Sequence, residues 1–223
     1  MSRALSPHNE RPEIDVAVAI LDAAEQAFSE LGYGGASLRA IARAAGVNQA
    51  MVNYYFTTKE GLFSAVIGRR SELINEQRRE LLAQAKAAGD LTMERLITVL
   101  VSPAIQLSAD PSQAGHVYMK LVGQLINSTD EMSRRVLSAN FDEIAQLFIP
   151  EIERLEPRLG VNAAVRGYVY TIAITMASVG SEWRMDILSD THDGQKDIEG
   201  IIAATVAFSV AGIRALANDC RSV

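Results

Sequence analysis

Between Ile14 and Leu31 the apolar positions Ala17, Leu21, Ala24, Phe28 and Leu31 recur at three- and four-residue steps. That spacing predicts an amphipathic helix, and Gly32 stands where the residue after a helix end would sit. Ser37 can cap a second, short helix carrying Leu38, Ile41 and Ala42; Gly46 then breaks the pattern. Asn48 can cap a third helix, on which Met51, Val52 and Tyr55 are spaced to face inward. Thr57-Thr58-Lys59-Glu60 reads as a capping box, Thr57 bonding forward and Glu60 reaching back, at the head of a long fourth helix with Leu62, Phe63, Val66 and Ile67.

Beyond that helix no window alternates with period two. Helical periodicity persists between breakers at Gly89-Asp90, Asp110-Pro111, Ser128-Thr129, Glu156-Pro157 and the polar stretch 189–194. Ser128-x-x-Glu131 reads as a second capping box, and Pro103 and Pro150, inside helical patterns, are expected to end or kink their helices. The fold class is therefore all-α with about nine helices. The expected organisation is an N-terminal arm over 1–13, a compact unit over 14–60 and a larger helical body over 61–223, with the fourth helix joining the last two.

Length and composition fit this picture. The chain has 223 residues, 48% apolar and 22% charged, so it can bury a core and is not a disordered sequence. The charge-free runs Gly167–Ser181 and Gly200–Ile213 fall short of the ~20 residues that cross a bilayer, so no membrane span is expected. Met1 to Pro12 carries no secretory pattern, and Cys220 is the single cysteine, which excludes an internal disulfide and suits the cytoplasm.

The net charge of −6 argues against a phosphate-rich partner until its distribution is read. Residues 1–30 carry −4 and residues 60–223 carry −5, whereas residues 31–59 hold Arg39, Arg43 and Lys59 with no acid. That window coincides with a helix-turn-helix pattern: a positioning helix, a tight turn, and a second helix whose early exposed residues reach base edges. Arg39 and Arg43, four apart, share a face that can meet phosphate, and Lys59 can meet another. If Met51, Val52 and Tyr55 pack inward, Gln49, Ala50, Asn53 and Tyr54 face out. Gln and Asn can bond bidentately to adenine, Ala can touch a thymine methyl, and the Tyr54 hydroxyl can take a phosphate. With the two caps Ser37 and Asn48, these nine residues form the expected DNA-binding set.

The run from Ile20 to Phe63 resembles the DNA-binding domain of the tetracycline-repressor (TetR) family of bacterial regulators. The hallmarks are Ala24 and Phe28 with Gly32-Tyr33, then Ser37-Leu38, Ile41-Ala42, Ala45-Gly46-Val47, Tyr55-Phe56 and Lys59-Glu60-Gly61-Leu62. One departure is that many members carry tyrosine where Asn53 stands, whereas this chain reads Asn53-Tyr54-Tyr55. The resemblance implies a homodimeric regulator that binds a double-stranded operator, most often as a repressor, and is released by a small, mainly hydrophobic effector held in the helical body. It also implies that the last two long helices form the dimer seam. The nearly uncharged stretch Ile201–Ile213 and the helix bearing Val165, Val169, Ile172, Ala173 and Met176 are compatible with that role.

Other chemistry finds little support. His8, His116 and His192 lack metal-site spacing, Gly32-Tyr33-Gly34-Gly35 follows a helix rather than a strand, and no nucleophile stands beside a base, so neither metal, cofactor nor enzyme activity is expected. Effector pockets are mainly apolar with a few polar groups. Tyr118, Asn127, Asn140 and Tyr168 are the expected polar lining.

Overall fold

The computed structural model describes residues 13–110, 114–189 and 197–219. These form helices α1 (Glu13–Gly35), α2 (Leu38–Ala44), α3 (Gln49–Phe56), α4 (Lys59–Ala88), α5 (Met93–Ser108), α6 (Ala114–Ile126), α7 (Glu131–Leu155), α8 (Gly160–Gly180), α9 (Glu182–Ser189) and α10 (Ile198–Asp219). The described residues contain no strand. The chain divides into two compact units, the first ending at Val66 and the second beginning at Ile67.

The first unit packs Ile20, Ala24 and Phe28 of α1 with Ile41 and Ala42 of α2, Val52 of α3, and Leu62, Phe63 and Val66 at the start of α4, all essentially buried. An aromatic cluster anchors it: Phe63 meets Phe28 edge-on at 4.8 Å between centroids and tilts against Tyr33 at 5.2 Å. Gly32 turns α1 at φ 68°, as its place after Leu31 predicted. Ser37 and Asn48 cap as expected, their side chains accepting from the Ala40 and Met51 N–H groups at 3.2 and 2.9 Å.

The third expected cap is displaced by one residue. Thr57 ends α3 in a left-handed conformation (φ 57°, ψ −52°), and the Thr58 N–H closes a tight turn onto the Phe56 carbonyl. Thr57 is therefore engaged in stopping one helix and cannot start the next. Thr58 caps α4 instead, its Oγ1 accepting from the Gly61 N–H at 3.0 Å. Gly61 is required there, since a Cβ would lie 2.5 Å from the Phe56 carbonyl oxygen.

In the second unit α5 is the central element. Eleven of its residues, including Leu96, Ile97, Leu100 and Ile105, are buried, and it packs against α6, α7, α8 and α10. Gly167 lets α8 approach α10, because a Cβ there would meet Ile213 Cγ1 at 2.9 Å. Side-chain bonds tie α4 in: Asn75 Nδ2 donates to the Asn140 carbonyl at 2.8 Å, and Lys86 pairs with Glu151 at 2.6 Å.

Two expectations change here, and the one for the prolines, to end or kink their helices, is narrowed. Neither Pro103 nor Pro150 ends its helix. Pro103 leaves the Val99 carbonyl without a helical donor, yet it is buried within a helix that runs on to Ser108. The α7 cap is Asp130 rather than Ser128: the Asp130 carboxylate accepts from the Ser133 N–H at 2.9 Å, and the Ser128 hydroxyl donates to that carboxylate. Finally, α10 over Ile198–Asn218 is long and apolar enough to cross a membrane, its charged residues being Glu199 near one end and Arg214 near the other. Its Thr205, Val206, Ser209, Val210, Ile213 and Ala217 are buried, and it packs on α5 and α8.

Candidate nucleic-acid interface and internal cavity

Helix α2, the turn through Gly46 (φ 69°) and α3 form a helix-turn-helix in which the Val47 N–H returns to the Ala42 carbonyl at 3.0 Å. Burial divides α3 into two faces. Val52 is 1% exposed, Met51 and Tyr55 are half-buried, and Gln49, Ala50, Asn53 and Tyr54 are exposed. The Tyr54 ring is 76% exposed and rests edge-on against Tyr55 at 5.3 Å, so a large aromatic stands out from the reading helix with little cover.

Arg39 and Arg43 are exposed on α2, neither in an ion pair among the described residues. Lys59 is placed differently: its ammonium sits over the Tyr33 ring, 4.6 Å from the centroid, which fixes the lysine at the first turn of α4. Ser37 and Asn48 are also exposed, but their side-chain oxygens are engaged as caps, so they set helix geometry whatever else they touch. The arrangement presents side-chain amides, a small apolar residue and a phenol on one helix, with exposed cations on the helix before it. Amides and apolar groups can read base edges, and cations bind phosphate.

The second unit encloses a cavity of about 300 Å³, lined chiefly by apolar side chains of α6, α7 and α8, among them Met119, Val122, Phe141, Ile172 and Met176. Tyr118 and Tyr168 both line it. Asn127 and Asn140, expected beside them, do not. Asn127 is exposed and its amide donates to the Gly123 carbonyl at 2.8 Å, finishing α6. Asn140 is spent on structure, its Nδ2 donating to the Val136 carbonyl at 2.7 Å and its Oδ1 accepting from the Ser71 hydroxyl at 3.0 Å.

The polar group that sequence reasoning missed is Arg78, 4% exposed and part of the cavity wall. Its Nε donates to the Leu100 carbonyl at 2.7 Å and its Nη1 to Asn75 Oδ1 at 3.1 Å. Burial lowers the guanidinium's pKa and raises those of both phenols, while the cation and the two tyrosines favour each other's charged forms. A signal existed: Ser71, Asn75 and Arg78 interrupt the buried row of α4 between Ile67 and Leu82, at the three- and four-residue steps otherwise taken by apolar residues.

Among the described residues no cluster of His, Cys, Asp and Glu could hold a metal ion. His116 is exposed, and His8, His192 and Cys220 lie outside the described residues, as does the arm over 1–12.

Comparison with known proteins agrees with this geometry. Residues 20–66 match the model for bacterial regulatory proteins of the tetR family, and residues 98–212 match that for the tetracyclin repressor-like C-terminal domain. The HTH-type transcriptional regulator BetI of Pseudomonas fluorescens is 39% identical over 57 residues, 26% of this chain and 29% of that protein. RutR of Escherichia coli K12 is 47% identical over 49 residues, 22% of this chain and 23% of its own, so the match spans under a third of these relatives' length. The HTH-type transcriptional repressor BepR of Brucella suis is 26% identical over 90% of this chain and 92% of its own. Among solved structures, FadR from Bacillus subtilis in complex with stearoyl-CoA shares the fold at TM-score 0.60 and 18% identity, covering 87% of this chain and 98% of that one. AibR, in complex with isovaleryl coenzyme A and operator DNA, does so at TM-score 0.55 and 18% identity, covering 86% and 97%. With family models matched over both the helix-turn-helix and most of the helical body, the chain belongs to the TetR family of bacterial transcriptional regulators.

Proposed function

We propose that the protein is a cytoplasmic repressor that binds a near-palindromic operator as a homodimer and leaves it when a small, mainly hydrophobic effector fills the cavity of the second unit. The observation that carries DNA reading is the outward face of α3, where Gln49, Ala50, Asn53 and Tyr54 are all exposed next to the acid-free cations Arg39 and Arg43. Gln49 and Asn53 read bases, Arg39, Arg43 and Lys59 hold phosphates, and Tyr54 gives its hydroxyl to a phosphate in place of the tyrosine that many relatives carry where Asn53 stands.

Two exposed apolar stripes support the dimer. Val161, Val165, Val169, Ala173 and Ala177 follow one another at four-residue steps along α8, and Ala204, Ala207, Phe208, Ala211 and Ala215 run along α10. Together they offer the small and branched side chains with which a pair of helices from a second copy interdigitates. Val169 and Ala173 also line the cavity, so a molecule inside it bears directly on the seam. An effector that favours one arrangement of the seam shifts the population away from the DNA-binding one.

A gel shift with the DNA flanking the protein's own gene tests this reading. The expected result is a retarded complex competed by the same unlabelled DNA and not by an equal excess of random duplex. Equal competition by both overturns it.

A further inference from the structure

We infer that the effector carries a single carboxylate or comparable anionic head on an apolar body, and that it binds head inward, the anion meeting Arg78 between Tyr118 and Tyr168. The inference rests on the reading of this cavity as the effector site and names the chemistry of what fills it.

Four observations converge. Arg78 is 4% exposed, yet among the described residues no carboxylate pairs with it, and its hydrogen bonds go to an amide oxygen and a main-chain carbonyl. A buried guanidinium stays protonated in any ordinary environment, so its charge is compensated here only by neutral dipoles. Those contacts occupy Nε and one hydrogen of Nη1, which leaves the rest of the planar fork unspent, the geometry that matches two carboxylate oxygens at once. Tyr118 and Tyr168 are buried, line the same cavity and have no hydrogen-bond partner among the described residues, so two phenol donors stand ready beside the cation. The rest of the wall, including Met119, Val122, Phe141 and Met176, is apolar.

The orientation follows from Asp142. It also lines the cavity but is solvent-exposed, takes the Ser138 hydroxyl as a hydrogen-bond donor and forms no ion pair with Arg78. A negative charge on the exposed side and a positive one on the buried side favour a ligand whose anion enters first and whose apolar end follows. An acyl thioester of a polyphosphorylated carrier has the opposite polarity, apolar end buried and anions at the rim, and at about 300 Å³ the cavity is at the small end for ligand sites.

Calorimetric titration of the intact dimer near neutral pH with octanoate, octanol and octanoyl-CoA tests the inference. The expected result is that octanoate binds at least ~10-fold tighter than octanol and tighter than octanoyl-CoA. Arg78→Met is expected to bring the octanoate-to-octanol ratio close to one, with Arg78→Lys, which keeps the charge but not the fork, in between; circular-dichroism melts identify any variant that fails to fold. The wild-type comparison decides without either variant. Octanol binding as tightly as octanoate overturns the anionic head while leaving the cavity as an effector site, and octanoyl-CoA binding tightest overturns the inward orientation. If none of the three binds, the reading of the cavity itself falls and the inference falls with it.

Discussion

Phe208 stands 68% exposed on α10, in a stripe otherwise built of alanines, and this makes it the sharpest handle on the dimer. In a single chain Phe208→Asp exchanges one exposed side chain for another, so the folded protomer is expected to keep its helical content and to lose no more than ~0.5 kcal/mol of stability. In a twofold seam the same change acts twice. Each copy forfeits most of the burial of a phenylalanine, about 1.5–3 kcal/mol. Each also brings an unpaired carboxylate into the seam, and breaking a buried pair to leave such a charge costs about 3–5 kcal/mol. Even at roughly 3 kcal/mol per copy the sum is ~6 kcal/mol, about four orders of magnitude in the dimer dissociation constant. Sedimentation velocity at micromolar protein is expected to show monomers for Phe208→Asp and dimers for the parent, with operator affinity lost in parallel. A variant that sediments as a dimer would refute the placement of the seam on α8 and α10. A variant that loses its helical signal would show instead that Phe208 belongs to the protomer core.

The remaining predictions concern reading, capping and packing. Asn53→Ala and Gln49→Ala relax base preference by about 1–3 kcal/mol per contact with little change in salt dependence, whereas Arg39→Ala weakens all sequences alike and lowers the log–log salt slope by about 0.9, as titrations over an operator-variant series would report. Tyr54→Phe weakens binding uniformly; a changed base preference at one position would mean that Tyr54 reads sequence. The Asp130 carboxyl is held down from 3.8 to about 2 by hydrogen bonds from the Ser128 hydroxyl, the Ser133 N–H and the Ser133 hydroxyl. Its stabilising contribution is therefore whole above pH 3.8 and fades as pH falls toward 2, so denaturant melts should show the gap between wild type and Asp130→Ala narrowing across that window and constant above it. Gly167→Val drives a branched side chain into Ile213, since even a Cβ would sit 2.9 Å from its Cγ1, and is expected to cost about 1–3 kcal/mol, read as a lowered melting temperature.

What the sequence made legible was mostly local. Helix starts at Ser37 and Asn48 and the turn at Gly32 follow from side chains acting on their own backbone neighbours, which a one-dimensional pattern contains. The caps that moved show where that fails. Thr57 and Thr58 are equally able to cap, and the choice is made by α3, which needs Thr57 to stop it. At α7 the carboxylate of Asp130 outcompetes the Ser128 hydroxyl, which becomes its donor. The outward face of α3 was readable because its inward residues Met51, Val52 and Tyr55 are apolar or aromatic and fall on one side of a helix. The cavity was less so: Tyr118 and Tyr168 look like Asn127 and Asn140 in a list of polar residues, and although each asparagine bonds a main-chain carbonyl four residues back along the chain, only tertiary packing decides which polar side chains line the cavity. Arg78 is the instructive omission, since a cation in an apolar register reads as a surface residue until the neighbouring Asn75 and the Leu100 carbonyl are brought to it.

The central claim, that two copies present α3 to one operator, is tested most directly by footprinting the wild-type protein on the DNA flanking its own gene. The account predicts protection of two related, inverted half-sites whose centres lie about one helical turn, ~34–36 Å, or a multiple of it apart, because a twofold protein places its two reading helices in successive major grooves of one face. Protection of a single asymmetric half-site at full affinity would contradict it.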